Sequence, residues 1–322
     1  MLGGRTNVLR CAAAVLLAAS CKCTPAPSDW PVARLGFQRV GPYRAYFVAE
    51  EKGFFRDEQV RVEGTEFPSS NVLGQAQVAG RVDGSGFMSF PVLFALEQNA
   101  PGQSVCELLL PMTRASRFAA IVVPVASPAK GPEDLKGGKV GVYPSSTNVI
   151  FARMMLEKLF GSPDAAQIIQ IDPSTQFQLL ESGGVDALIG PDPMPATAVA
   201  RKVGRVLTWS PDAHFVMDPM PVGCATLSKS YAEGQPEAAK RVRRALERAV
   251  DFIRDPANHA EVVAIVGRRA GIEAAVAQEL GEVDYWKLSE ADARPLQALA
   301  DLLEKERVLS GHVDVSPLLG GK

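Results

Sequence analysis

The chain has 322 residues, 47% hydrophobic, 22% charged and 7% aromatic, with 34 basic against 36 acidic side chains and a net charge of -2. That composition excludes a disordered chain, a collagen-like fibre and a disulfide-dense miniprotein, and the lack of a long basic block gives no footing for nucleic acid. The length suits about two domains, each with a sizeable core.

Arg5 and Arg10 form a short positive region, and residues 8–20 are otherwise apolar or small. The run is too short to span a bilayer, which needs about 20 residues, and it fits the hydrophobic part of a secretory signal. It ends Leu17-Ala18-Ala19-Ser20-Cys21. This resembles a bacterial lipobox, in which the cysteine is acylated and becomes the new first residue. The alternative is an ordinary signal cut near Ala19 or Thr24. Residues 22–29 are short, largely polar and carry two prolines, so they read as a tether. No later stretch is apolar enough for a membrane helix. The expectation is an extracytoplasmic protein, soluble in body, with residues 1–20 as the signal and a lipid anchor on Cys21.

The body alternates strands and helices. Residues 32–37 make a strand entering the loop Gly41-Pro42-Tyr43, and 44–51 a helix stopped by Gly53. The period-two run 59–63 is a half-buried strand. Pro68-Ser69-Ser70-Asn71 is a loop that caps a helix over 72–79. Strands follow at 105–112, 118–125, 139–143, 167–171 and 185–189, with helices at 148–160, 175–181 and 194–203. The pattern predicts an α/β fold with parallel sheets covered on both faces. From Pro236 onward the chain reads as helical. Ala239, Val242, Leu246, Ala249, Val250 and Ile253 share one stripe, and further helices are expected at 260–270, 274–280 and 291–307. This helical C-terminal extension is long enough to pack back on a first lobe.

A faint echo runs through the body. Arg81-Val82-Asp83 leads into Gly84 to Pro91, and Gly184-Val185-Asp186 leads into Ala187 to Pro193, with the two aspartates 103 residues apart. Each marks a helix end, a short buried strand and a proline-marked loop. Two similar lobes fit the length, although ordinary α/β punctuation produces the same pattern.

Taken in order, these stretches resemble the periplasmic solute-binding proteins of ABC importers. The branch is the one that holds the nitrate, sulfonate and taurine binders and the binders of thiamine-pyrimidine precursors. The residues that carry the likeness are Ala49-Glu50-Glu51-Lys52-Gly53-Phe54-Phe55 with Val60-Arg61-Val62, residues 80–91, Gly131 to Val142, residues 183–196, Leu227-Ser228-Lys229 and Pro256. The resemblance implies a two-lobed periplasmic-binding-protein-like fold, with crossings near 120–125 and 220–226. The first lobe would be discontinuous, 30–119 plus 225–322, and the second would be 120–224. It implies a small-molecule ligand in the cleft, an ABC permease in the membrane as partner, and a monomer without cofactor or metal. Two alternatives stand beside it: an exported enzyme of the same fold, and a ligand-sensing lipoprotein that signals to a membrane partner.

In such sheets the ligand lies outside the carboxyl ends of the strands. The candidate contacts on the first lobe are Phe37, Gly41, Pro42, Tyr43, Ser69, Ser70, Asn71, Phe87, Met88 and Ser89. Those on the second are Tyr143, Ser145, Ser146, Thr147, Asn148, Gly190, Pro191 and Asp192. Ser145-Ser146-Thr147-Asn148 is the most informative run, since hydroxyls before a helix face unpaired amides and favour an oxyanion. The competing reading is a plain helix cap. Phe37, Tyr43, Phe87 and Tyr143 are stacking walls or core, Met88 packing, and Asp192 either a partner for a cationic ligand group or a cap.

Catalytic signals are weak. His214, His259 and His312 are widely spaced, Gly84-Ser85-Gly86 lacks the third glycine of a nucleotide fingerprint, and no GxSxG or Walker A motif occurs. The five cysteines (Cys11, Cys21, Cys23, Cys106 and Cys224) include no CxxC pair. Cys106 and Cys224 are expected as two buried thiols, with a disulfide near the hinge as the alternative that export permits.

Overall fold

A computed structural model describes residues 29–320. The expected signal, the expected acylation site Cys21 and nearly all of the expected tether lie outside the described residues. The strands in chain order are β1 Val32–Phe37, β2 Arg61–Glu66, β3 Gly84–Ser89, β4 Ser104–Met112, β5 Ala119–Pro124, β6 Lys139–Val142, β7 Gln167–Gln170, β8 Ala187–Pro191, β9 Gly204–Trp209, β10 Met220–Ser228 and β11 Trp286–Lys287. They form two sheets, ordered β11-β4-β10-β3-β1-β2 and β7-β6-β8-β5-β9. The α/β, two-lobed expectation holds. In each sheet three strands are parallel, β2-β1-β3 and β7-β6-β8. The strands next to the crossings run antiparallel, because the chain enters them from the other lobe.

The strand ladders move both crossings upstream of the expected places. The apolar runs at 120–125 and 220–226 are not free connections. Ile121, Val122 and Val123 are fully buried inside the second sheet, and Cys224 and Leu227 inside the first. The chain therefore passes between sheets at 113–118 and 210–219. The two segments are laced together. The Ser210 amide donates to Ala119 O at 2.6 Å, its hydroxyl donates to Ser116 O at 2.6 Å, and Arg114 reaches Asp218 at 3.4 Å.

The echo seen in the sequence is one structural device used twice. Asp83 accepts the Arg34 amide at 2.8 Å and returns its own amide to Arg34 O at 2.7 Å. Asp186 does the same with Lys139, at 2.7 Å and 2.8 Å. Each aspartate thus locks the entrance of one parallel strand against the strand beside it, through charge-assisted bonds to a backbone N–H.

The helical extension covers the first lobe. Helix Pro236–Arg254 buries Val242, Leu246, Ala249 and Val250 there. Arg243 on the same helix pairs with Glu107, whose carboxyl, raised by burial, that guanidinium helps to keep charged. Cys106 and Cys224 are joined by a disulfide, with 5.7 Å between their Cα atoms. The expectation of two free thiols is corrected. A separation of 118 residues in sequence vanishes once β4 and β10 become neighbours in one antiparallel ladder.

Candidate functional site

A cavity of about 370 Å³ lies between the lobes, at the carboxyl ends of β3, β6 and β8. That size falls within the usual range for a small-molecule site. The first lobe contributes Pro42, Phe87, Ser89, Pro91, Val92 and Met112, with Met220, Pro221 and Val222 at the start of β10. The second contributes Ala119, Val142, Ser145, Thr147, Asn148, Phe151, Ala152, Met155, Ile189, Gly190 and Pro191. The crossings supply Phe118 and Asp212. The walls are mostly apolar, and among the described residues no Lys, Arg or His lines them.

Of the expected contacts, Pro42, Phe87, Ser89, Ser145, Thr147, Asn148, Gly190 and Pro191 come together here. The others do not line the cavity, for identifiable reasons. Phe37 stacks on Tyr46 with ring centroids 5.5 Å apart. Met88 is wholly buried in the core, and Gly41 is buried as well. Ser69 caps helix Ser70–Val78 by accepting the Val72 amide, Ser70 accepts Gln38 Nε2, and Asn71 is exposed. Tyr43 acts one step behind the wall. Its hydroxyl donates to Phe87 O at 2.7 Å, and its ring meets Phe87 edge-on at 5.7 Å. Gly223 makes room for Phe87, since a Cβ there would lie 2.3 Å from Met88 O and 2.5 Å from Phe87 Cζ. Tyr143 backs Gly190, and burial pushes its phenol up to about 12, a rise that a hydrogen bond with Gln176 moderates.

Ser145 is a helix cap: its hydroxyl accepts the Asn148 amide at 3.0 Å. Ser146 is exposed and does not line the cavity. Ser145→Ala should therefore cost about 1 kcal/mol of stability, which is about 2 °C in a chain of this size. Ligand-free melting curves measure this. An unchanged melting point would mean that the hydroxyl does not cap the helix.

Asp192 is not on the wall. It is buried, its Oδ2 accepts the Gly281 amide at 2.8 Å, and desolvation lifts its carboxyl to about 6, against the pull of that bond and of Arg44. The sequence reading missed Asp212. Its residue keeps some accessible surface, yet protein packs closely around the carboxyl, and burial alone pushes it up to about 6. It follows a single proline, in Ser210-Pro211-Asp212, where an aspartate reads as part of a helix start. Also missed were Phe151, Ala152 and Met155, which continue the face of Thr147 and Asn148 along the same helix. Their helical spacing is that of a core face, and here the face borders the cavity.

Residues 26–267 match the NMT1-like family, and the chain belongs to that family. Curated proteins of Brucella abortus and Brucella melitensis, named as binding proteins, are each 26% identical over 209 residues, covering 64% of this chain and 61% of theirs. The chain thus spans about three fifths of the length of the curated relatives it matches. Among solved structures, the periplasmic aliphatic sulphonate-binding protein SsuA of Escherichia coli is similar with a TM-score of 0.72 at 20% identity, covering 90% of this chain and 99% of that one. The periplasmic nitrate-binding protein NrtA of Synechocystis has a TM-score of 0.66 at 15% identity, over 91% and 86%. At these identities the likeness establishes the fold: the two-lobed architecture of ABC solute-binding proteins.

Proposed function

We propose that this protein is the extracytoplasmic solute-binding component of an ABC importer. It would capture a small molecule between its lobes and present it to a membrane permease. The observation that carries this reading is the inter-lobe cavity, walled by both lobes and by both crossings, which is where closure of two lobes buries a ligand. The named roles of the Brucella, SsuA and NrtA proteins support it, as does the leader. Residues 1–20 serve as the export signal and Cys21 as the acylated residue in the same proposal. The enzyme alternative is less well supported. Among the described residues, no histidine or lysine on the wall stands beside the cavity hydroxyls of Ser89, Ser145 and Thr147 to activate them.

A thermal-shift screen against a pool of small solutes tests the binding role. A ligand at about 100 times its dissociation constant should stabilise the protein by about 2.7 kcal/mol. Phe151→Trp, which fills the cavity, should abolish the shift while the protein stays folded. A shift that survives this substitution would place binding elsewhere. The anchor is tested by fatty-acid labelling in cells. Label should enter the wild type and not Cys21→Ala, and equal labelling of both would reject acylation at Cys21.

A further inference from the structure

We propose that the cavity selects a cation carried on an apolar body (a protonated amine, an amidine or a quaternary ammonium group), with the Asp212 carboxylate as its counter-ion. This rests on the solute-binding reading above and adds its ligand class.

Three observations lead there. First, the walls carry hydroxyls, apolar side chains and one charged group, Asp212, with no basic residue among the described ones. A sulfonate or nitrate entering this space would meet a carboxylate and no countercharge. An ammonium or amidinium would meet its counter-ion in surroundings where charge attraction is stronger than in water. Second, the Asp212 carboxylate has no hydrogen-bond donor and no cation partner among the described residues. The fold does not treat its other enclosed carboxylates this way. Glu107 has Arg243, Glu50 has Arg269, Asp192 has the Gly281 amide, and Glu97 has the Gly102 and Ser104 amides. A carboxylate on a cavity wall that no protein donor or cation engages is left to meet a charge carried by a ligand. Third, the rest of the wall suits an apolar body: Phe87, Phe118 and Phe151 with Met112, Met155 and Met220 surround the space.

The charged groups near Asp212 leave it alone. Its own crossing carries His214 and Asp218, the first crossing carries Arg114 and Arg117, and helix Ser146–Phe160, which packs against Pro211–Phe215, carries Arg153, Glu157 and Lys158. None of them shifts the carboxyl, and burial is the sole cause of its rise to about 6. A bound cation needs Asp212 ionised. Affinity should therefore be full above about pH 7 and fall about tenfold by about pH 5, as the carboxylate takes up a proton.

The test uses the purified protein and matched probes. Benzamidine, 2-phenylethylamine and tetraethylammonium represent the cations. Benzyl alcohol and 2-phenylethanol are the neutral counterparts, and benzoate, 3-phenylpropionate and benzenesulfonate the anions. Thermal shift and calorimetry on wild type and Asp212→Asn should show binding by cations in the wild type. Affinity should fall about tenfold to hundredfold in the variant, with the pH dependence gone. Asp212→Asn should be at least as stable as the wild type near neutral pH, so lost binding would not report lost folding. Binding of an anion or a neutral probe that Asp212→Asn retains overturns the cation assignment and leaves the solute-binding reading in place. No binding by any of the three classes overturns both.

Discussion

Replacing both Cys106 and Cys224 by alanine should lower stability by about 3–5 kcal/mol, because the bridge closes a loop of more than a hundred residues. The native structure explains little of that cost. Both residues are buried in a ladder whose backbone hydrogen bonds remain, and alanine leaves only small voids there. The larger effect is on the unfolded chain, which the bridge holds together across the whole second lobe. The variant's unfolded state should be more expanded, so the urea m-value should rise as the midpoint falls. Treating the wild type with reductant before unfolding should reproduce the variant's midpoint. Equal midpoints for oxidised wild type, reduced wild type and variant would show that the two thiols are not joined. Ligand binding should change little. The strands that carry the bridge reach the cavity at Met112 and Met220, and their register is held by the ladder as well.

What the sequence disclosed and what it hid follow from the range of the interactions involved. Periodicity and punctuation are local, so helix 44–51, the strands at 32–37 and 139–143 and the long helix from Pro236 were legible almost residue for residue, whereas the two-residue strand Trp286–Lys287 in the extension is too short to show a period. The paired Val-Asp motifs were legible as a repeat, since each aspartate staples two strands in the same way. The crossings were displaced because an apolar run shows burial without showing which sheet buries it; 120–125 and 220–226 are strand interiors. The candidate site was legible around strand ends, with Phe87 and Ser89 closing β3, Gly190 near the end of β8 and Thr147 just beyond β6. It failed where a side chain's role depends on what stands opposite. Ser69 and Ser145 spend their hydroxyls on caps, Phe37 and Met88 on the core. Asp192 and Asp212 each follow a proline, yet one is bonded to a distant amide and the other borders the cavity unpartnered. Only the three-dimensional neighbours tell them apart.

Asp192 sits at a junction where a single substitution should have a pH-dependent effect on stability. Arg44 is buried, donates from Nη2 to Gly281 O at 3.0 Å, and leaves its Nε without a partner. Gly281 gives its amide to Asp192, and no other residue fits there: a Cβ would lie 1.4 Å from Arg117 O. The first lobe, the second lobe, the first crossing and the C-terminal extension thus meet around one buried cation and one buried carboxylate. Arg44→Met keeps most of the volume and removes the charge. The expected cost is about 1–2 kcal/mol near pH 7.5, because the carboxyl can take up a proton instead of staying charged, and from about 6 that costs no more than about 2 kcal/mol. The cost should depend on pH in a definite direction. The Asp192 carboxyl already stands at about 6, above its ordinary 3.8, so its contribution to stability is full below the unfolded value and is lost as pH rises through about 6. Without Arg44 the carboxyl rises further and the loss continues to higher pH. The gap between wild type and variant should then be small near pH 5 and widest near pH 8, as read from urea titrations at both. Adding Asp192→Asn to Arg44→Met should recover stability, because a neutral amide still accepts the Gly281 N–H and needs no cation; the coupling should fall within about 0.5–3 kcal/mol. An equal cost at both pH values, with no recovery in the double variant, would make Arg44 a packing residue whose charge the junction does not use.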